Sequence, residues 1–204
     1  MEKNYHIPVL LDQSIELLNI KKDGIYVDAT FGGGGHSKEI LKKIPNGKLI
    51  AFDTDQDAQK NAFDLENFIL INSNFIHIPK FLRFLGIDEI DGILVDLGVS
   101  SYQIDTPQRG FSYRYDYELD MRMNKSQDLS AKEVLNFYSA QDLERIFKQY
   151  GECRRYKKVV NVIISKRPIK SNKEFADILG SVGIKNKKGK QKRFPFFRNS
   201  KSLF

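Results

Sequence analysis

The sequence predicts an α/β fold built on a parallel sheet. Between residues 25 and 96, short apolar runs alternate with amphipathic stretches, which is the pattern of successive β-α units. The predicted strands are Ile25–Asp28, Lys48–Asp53, Phe68–Ile71 and Gly92–Asp96. Three of these strands end on an aspartate, and open α/β sheets bind ligands at the carboxyl ends of their strands. The three carboxylates are therefore expected to line one site.

Length and composition favour one globular domain, with or without an insertion. A chain of 204 residues with 41% hydrophobic residues can bury a sizeable core. No apolar run approaches the roughly 18 residues needed to span a membrane, and the N-terminus lacks a secretory signal, so a cytoplasmic protein is predicted. Cys153 is the only cysteine, which excludes an intrachain disulfide and a cysteine-based metal cluster. No metal site is predicted.

The formal net charge of +7 is concentrated at the end of the chain. Eight basic residues lie between Lys185 and Phe204, and no acidic residue follows Asp177. Subtracting these eight charges from +7 leaves −1 for the rest of the chain. The charge therefore indicates an RNA partner only if this segment is used, and a solvated, disordered tail is at least as good an interpretation.

Beyond Asp96 the pattern becomes helical. After a loop, three segments begin with a serine that precedes an acidic residue by three positions, at Ser130, Ser139 and Ser171. This spacing resembles a capping box at a helix start. The segment after Ser139 also has an apolar face at helical spacing, which includes Phe147. The sequence therefore predicts a small helical module.

A glycine-rich turn, Asp28-Ala-Thr-Phe-Gly-Gly-Gly-Gly-His-Ser37, follows the first predicted strand and leads into a helix expected to begin near Ser37. Backbone without side chains can approach a ligand closely. A dinucleotide-binding loop would need a third glycine at position 37, where serine stands. The charge of Asp28 would repel a pyrophosphate but suit the ammonium group of a methionine-like ligand. The turn favours S-adenosylmethionine over NAD, and a plain flexible turn is the simpler alternative.

Other candidate residues follow the same strand ends. Asp53 is placed to accept the hydroxyls of an adenosine ribose, whereas Asp55 lies beyond the strand and suits a helix start. The ring of Phe75 either covers an adenine or belongs to the core. Asp96 is a candidate acceptor that holds an amine substrate near the methyl donor. His36 has no metal-binding neighbours at ligand spacing, so it is assigned to cofactor contact or turn packing.

Several ordered motifs resemble those of the RsmH/MraW family. They are His6-Ile-Pro-Val-Leu-Leu11, the glycine-rich turn, Asp91-Gly-Ile-Leu-Val-Asp-Leu-Gly-Val-Ser-Ser101, Arg109-Gly-Phe-Ser112, Asp120-Met-Arg-Met123 and Tyr150-Gly-Glu152. The similarity extends from about residue 6 to about residue 180. That family uses S-adenosylmethionine to methylate N4 of a cytosine in the 16S ribosomal RNA of the bacterial small ribosomal subunit. The resemblance implies this activity and a Rossmann-like class I methyltransferase sheet with an inserted helical module.

The resemblance also implies roles for individual residues. It places cofactor contacts at Gly34, Gly35, His36, Asp53, Phe75, Asp96 and Gln103, and Asp28 is added from its charge alone. No catalytic residue is assigned. Cytosine-C5 methylation would need a cysteine beside the cofactor, but Cys153 lies in the helical region.

By the same resemblance, the loop from Arg109 to Met123 and the helical module would hold the RNA. Its arginines, Arg109, Arg114 and Arg122, are candidate phosphate contacts. Ion pairs with Asp116, Glu118 or Asp120 are an equal alternative for these arginines.

The expected organisation is a methyltransferase core at 1–105, an inserted RNA-recognition module at 106–184 and a basic, disordered tail at 185–204. The tail departs from the family pattern, whose members continue with further strands, and a shifted reading frame is one explanation. The main alternative is therefore an inactive truncated fragment or a non-catalytic RNA-binding protein. A nucleotide-dependent oxidoreductase is a third interpretation, and the oligomeric state is not predicted.

Overall fold

The computed structural model describes residues 8–151 and 153–183. The chain divides into two compact units, Met1–Leu97 and Gly98–Phe204. This division comes earlier than the boundary expected after residue 105. His6 and Ile7 of the first motif, the residue Glu152 and the basic tail at 185–204 lie outside the described residues.

The first unit is built around a parallel four-stranded sheet with the order β3-β2-β1-β4. Its strands are β1 (Ile25–Asp28), β2 (Lys48–Asp53), β3 (Phe68–Asn72) and β4 (Gly92–Leu94). In the register of the sheet, Ile25 pairs with Lys48, Leu49 with Phe68 and Tyr26 with Gly92. The predicted α/β fold with a parallel sheet is confirmed.

β4 is shorter than the sequence predicted. The last ladder bond in this region runs from the Ala29 N–H to the Leu94 carbonyl. The N–H of Asp96 instead donates to the hydroxyl of Thr30, so pairing between the strands stops before Asp96. The prediction that β4 ends on Asp96 was therefore wrong, and Asp96 lies in the loop after the strand.

The described part of the first unit contains three α-helices, which are α1 (Leu11–Leu17), α2 (Gly35–Lys43) and α3 (Ile78–Phe84). Successive strand residues point to opposite faces of the sheet. Tyr26 and Leu49 pack on one face in a cluster that includes Ile15 of α1 and Ile40 of α2. Val27, Ile50 and Phe52 pack on the other face with Ile78 of α3. The unit therefore has helices on both faces of its sheet.

The second unit is helical, as the sequence predicted. Its helices are α4 (Ser101–Asp105), α5 (Ala131–Phe137), α6 (Ala140–Arg145), α7 (Tyr156–Ser165) and α8 (Asn172–Ser181). A π-helical turn at Ile146–Tyr150 continues α6. Leu135, Phe147, Val160 and Phe175 are among the fully buried residues of one apolar core.

The three predicted capping boxes form to different extents. Ser130 and Glu133 make both reciprocal bonds at the start of α5. At the starts of α6 and α8 the serine hydroxyl accepts the expected backbone N–H, but the acidic side chain does not accept the N–H of the serine. Asp142 is one methylene shorter than glutamate, and its carboxylate accepts the Ser139 hydroxyl instead. The carboxylate of Glu174 accepts the N–H of Lys170.

Candidate ligand site at the strand ends of the first unit

The turn after β1 is organised by the carboxylate of Asp28. Its Oδ1 accepts the Thr30 N–H at 3.0 Å and its Oδ2 accepts the Ser37 hydroxyl at 2.6 Å. Burial raises the pKa of Asp28 above its ordinary value, and the bonds from Ser37 and Thr30 oppose that rise. Because Asp28 is fully buried, it offers no exposed oxygen to an ammonium group. The assignment of Asp28 as an ammonium contact, made from charge alone, was therefore wrong.

Asp53 connects the glycine-rich turn to β2. Its Oδ2 accepts the Gly32 N–H at 2.7 Å, and its Oδ1 accepts the Asp55 N–H at 2.8 Å. The side-chain amide of Asn72 donates to the Asp53 carbonyl at 3.0 Å. These bonds orient a half-buried carboxylate, and each carboxylate oxygen can accept more than one hydrogen bond. The arrangement therefore suits a ligand that presents hydroxyl groups.

Asp55 has the helix-start role that the sequence predicted. Its carboxylate accepts the Asp57 N–H at 3.0 Å, and its carbonyl accepts the Ala58 N–H at 3.0 Å. These bonds begin the 3₁₀ turn Ala58–Asn61. Asp55 therefore supports the local backbone beside Asp53.

The glycine-rich turn needs glycine both for its conformation and for its close contacts. Gly32 and Gly34 have φ values of 52° and 76°, in the left-handed region that favours glycine. A Cβ at Gly34 would lie 2.9 Å from ring atoms of Phe31 and Phe63. A Cβ at Gly35 would lie 2.4 Å from the Pro8 ring. Side chains at Gly34 and Gly35 would therefore force their neighbours to move.

The N-terminus of α2 opens from this turn. Gly34 is the N-cap, so no side chain accepts the first N–H groups of the helix. A helix N-terminus carries a partial positive charge and binds anionic groups such as carboxylates. His36, in the first turn, is 6% exposed, and its Nε2 has no hydrogen-bond partner. Because Nε2 is buried, the imidazole of His36 lies beneath the turn, and the backbone N–H groups at the start of α2 are the groups that this turn offers to a ligand.

Phe75 and Asp96 lie after β3 and β4. Phe75 is 40% exposed, so the alternative that it belongs to the core was wrong. Asp96 is exposed, and its N–H donates to Thr30 Oγ1 at 2.8 Å. Because the N–H of Thr30 also donates to Asp28, Thr30 links the end of β1 to the segment after β4. This link fixes the backbone of Asp96 and leaves its side chain exposed.

Gln103 belongs to the second unit, where it has a structural role that sequence reasoning missed. Its side-chain oxygen accepts the Ser100 N–H at 2.9 Å, and its N–H donates to the Ser100 hydroxyl at 3.1 Å. These two bonds form a capping box at the start of α4. The Ser-x-x-Gln spacing was the signal that could have revealed it.

The three candidate phosphate-binding arginines of the second unit have different environments. Arg109 is fully buried and donates to the carbonyls of Arg122 and Met123, so its phosphate role was wrong. Arg122 forms a two-bond ion pair with Asp120, at 2.9 and 2.8 Å, which confirms the ion-pair alternative. Arg114 is exposed, and its Nη1 lies 3.4 Å from the Asp105 carboxylate.

Cys153 is the only cysteine of the chain, and its environment does not favour a role as a nucleophile. Cys153 is buried in the core of the second unit, and burial raises the pKa of its thiol. A thiol with a raised pKa is a poor nucleophile near neutral pH.

Within residues 8–151 and 153–183, no group of His, Cys, Asp and Glu side chains could hold a metal ion. No helix in the same residues is long and apolar enough to cross a membrane.

A sequence profile of the MraW methylase family matches residues 3–199. The chain belongs to this family. The resemblance found in the motifs is therefore confirmed, and the match continues beyond residue 180, where we expected the similarity to end. Membership in a methylase family also accounts for the parallel sheet, which is consistent with a Rossmann-like methyltransferase, and implies a methyl donor.

Curated bacterial relatives of this chain carry the name "Ribosomal RNA small subunit methyltransferase H". The protein of Flavobacterium johnsoniae is 56% identical over 86% of this chain and 59% of its own length. The protein of Cytophaga hutchinsonii is 51% identical over 91% of this chain and 64% of its own length. The protein of Nautilia profundicola is 52% identical over 95% of this chain and 64% of its own length. The MraW-family chain thus spans about three fifths of the length of these relatives.

Proposed function

We propose that this protein methylates the N4 amine of a cytosine in the 16S ribosomal RNA of the small ribosomal subunit, with S-adenosylmethionine as the donor. The observation that carries the donor is the site at the strand ends, where an uncapped helix N-terminus adjoins a carboxylate oriented by backbone bonds. The names of the relatives support the RNA substrate. A ribosomal substrate also places the protein in the cytoplasm.

Separate parts of the site suit separate groups of the donor. The N-terminus of α2, at Gly34, Gly35 and His36, suits the methionine carboxylate, because it offers backbone N–H groups that no side chain caps. Asp53 suits the ribose hydroxyls, and the exposed ring of Phe75 suits one face of the adenine. Gln103 remains a proposed contact from the family resemblance.

Asp96 is the residue that we propose for orienting the substrate. When bound, the donor supplies an electrophilic methyl group on a positively charged sulfur. The exposed carboxylate of Asp96 would accept a hydrogen bond from the exocyclic amine and hold its nitrogen toward that methyl group. The new N–C bond forms as the C–S bond breaks, and the amine proton leaves to the carboxylate or to solvent. No covalent bond to the protein is needed, which agrees with the buried thiol of Cys153.

A thermal-shift titration tests the donor site. We expect S-adenosylmethionine to raise the melting temperature of the full chain saturably, because a ligand at 100 times its Kd stabilises the folded state by about 2.7 kcal/mol. Asp53→Ala should abolish the response. Asp64→Ala, which changes an exposed aspartate of the same unit, should keep it. A shift with NAD and none with S-adenosylmethionine would overturn the proposed donor.

A transfer assay tests the reaction. Methyl-labelled S-adenosylmethionine is incubated with the chain and with small ribosomal subunits, and the RNA is digested to nucleosides. We expect label in N4-methylcytidine and a strong decrease with Asp96→Ala. Binding of the donor without any label in RNA would favour a non-catalytic protein instead.

A further inference from the structure

The second unit exposes an unusual run of aromatic residues. All six residues from Tyr113 to Glu118, with the sequence Tyr-Arg-Tyr-Asp-Tyr-Glu, are exposed. We name this segment the tyrosine loop. Its tyrosines, Tyr113, Tyr115 and Tyr117, are 38%, 42% and 43% exposed. Exposed groups of large aromatic side chains mark interaction sites, because their burial on a partner is favourable.

The backbone of the tyrosine loop is held in place by Asn172, the first residue of α8. Asn172 is fully buried, and its side-chain oxygen accepts the Tyr117 N–H at 3.1 Å. Its own N–H donates to the Tyr117 carbonyl at 3.0 Å, and its side-chain amide donates to the Ser112 carbonyl. The loop is therefore fixed near both ends, which reduces the entropy that a partner would have to remove.

The tyrosine rings take no part in this anchoring. In the described parts of the chain, the side chains of Tyr113, Tyr115 and Tyr117 form no hydrogen bond, ring contact or cation-π contact with another residue. The fold thus fixes the backbone of the loop without using its rings. Three amphipathic rings on a fixed backbone form a surface that can bind without prior rearrangement.

The charge of the loop shows which part of a nucleic acid it suits. Arg114 is its one cation, whereas Asp116 and Glu118 are acidic, and Glu118 is paired with Lys132. A segment with a formal charge of −1 is poorly suited to phosphate groups. Aromatic rings and a planar guanidinium group are the side chains on which unpaired bases stack.

We propose that the tyrosine loop is a stacking surface for unpaired bases of an RNA strand. This inference rests on the proposed function, since it names the feature of the RNA substrate that the second unit binds. It assigns the binding of bases to Tyr115 and Tyr117 in particular, which are the two most exposed rings of the loop. These rings bind RNA through contact with the faces of its bases, so their contribution to affinity does not depend on the base sequence of the RNA.

Fluorescence anisotropy with a labelled single-stranded oligoribonucleotide tests the proposal on the full chain. We expect the double variant Tyr115→Leu/Tyr117→Leu to bind about tenfold more weakly for each ring lost. The matched variant Tyr115→Phe/Tyr117→Phe keeps both rings and should bind within about twofold of the unaltered chain. Phe137→Leu, which removes an 80% exposed ring from α5, is the control outside the loop.

Two further measurements separate stacking from other effects. The slope of log affinity against log salt should stay unchanged in the leucine variant, because no phosphate contact is lost. The same RNA in a duplex should bind the leucine variant and the unaltered chain equally well, because its bases are already stacked. Melting curves should show that all variants remain folded, since the rings form no described hydrogen bond or ring contact that the substitutions would break.

The outcomes distinguish this inference from the proposed function. If the unaltered chain binds and methylates RNA while the leucine variant binds as tightly, the stacking surface is overturned and the methyltransferase stands. If the phenylalanine variant loses as much affinity as the leucine variant, stacking is also overturned. If the unaltered chain binds no single-stranded RNA, the stacking surface is overturned, whereas the RNA substrate is overturned only if the transfer assay with small ribosomal subunits also gives no label in RNA.

Discussion

Asp28 is a carboxyl group that is fully buried in the first unit, where burial raises its pKa. A carboxylate with a raised pKa is destabilised in the folded state when it is ionised. Its contribution to stability is therefore fully present below the pKa of the unfolded chain, and it is lost as the pH rises through the higher folded pKa. The cost at neutral pH is offset by the bonds to Thr30 and Ser37, which hold the turn together.

We expect Asp28→Ala to lower the free energy of unfolding by about 2–4 kcal/mol, because it leaves the partly buried Thr30 N–H and the buried Ser37 hydroxyl without acceptors. Asp28→Asn can keep one acceptor and donate to the Ser37 hydroxyl, so it should cost less than about 1 kcal/mol. Relative to the unaltered chain, the asparagine variant should gain stability as the pH rises from 4 to 8. Urea denaturation across this range measures the effect, and a gain toward low pH would contradict the account.

The sequence did not predict which of the charged residues are buried. The motifs identified Asp28 and Arg109 as notable, and charge then suggested an ammonium contact and a phosphate contact. In the folded chain both residues are fully buried, and each bonds to groups within its own unit. The identity of a charged residue limits its possible partners, but packing at a distance in sequence decides whether a ligand can reach it.

For helices and strands, the local sequence pattern predicted the structure better than it did for single charged residues. The bounds of β1 and β2 agree with the prediction, since apolar runs between polar turns define buried parallel strands well. The end of β4 and the start of α2 did not agree. Both depend on the glycine-rich turn, where Thr30 takes the N–H of Asp96 and Gly34 adopts a left-handed conformation as the N-cap. Neither interaction is visible in a periodic pattern.

The capping box of α4 leads to a prediction about Gln103. Gln103→Leu removes the acceptor of the Ser100 N–H, so we expect the free energy of unfolding to fall by about 0.5–2 kcal/mol. Gln103→Glu keeps the acceptor for the Ser100 N–H but places a carboxyl group at a buried position, so it should keep the capping box and be most stable at low pH, where the carboxyl is protonated. Gln108→Leu, at an exposed position just after α4, is the control. Urea denaturation and a titration with S-adenosylmethionine should be done together. Weaker cofactor binding by the leucine variant at unchanged stability would show that cofactor contact is its main role.

For the molecule as a whole, charge is distributed far from evenly along the chain. Eight basic residues at 185–204 account for more than the total net charge of +7. Electrostatic attraction to RNA depends on how many cations displace the counterions of the phosphates. The residues that precede this segment, with a net charge of −1, have no comparable excess.

We therefore expect most of the salt-dependent RNA affinity to come from the segment 185–204. A variant with glutamine at its eight basic positions should bind single-stranded RNA more than about tenfold more weakly at low salt, with a shallower dependence on salt. Its response to S-adenosylmethionine should be unchanged. Anisotropy at several salt concentrations measures this, and an unaltered salt slope would refute the expectation. The leucine variant of the tyrosine loop should also bind more weakly, but with an unaltered salt slope.

The anchoring of the tyrosine loop by Asn172 also sets a time order during synthesis. The partners of these bonds are 55 and 60 residues apart in the chain. At about 5–20 residues per second, a ribosome needs roughly 3–11 s to proceed from Tyr117 to Asn172. Until then the loop has no anchor, although the sheet of the first unit has already been made. The surface proposed to hold RNA can therefore acquire its shape only after Asn172 has been synthesised, later than the strands of the first unit.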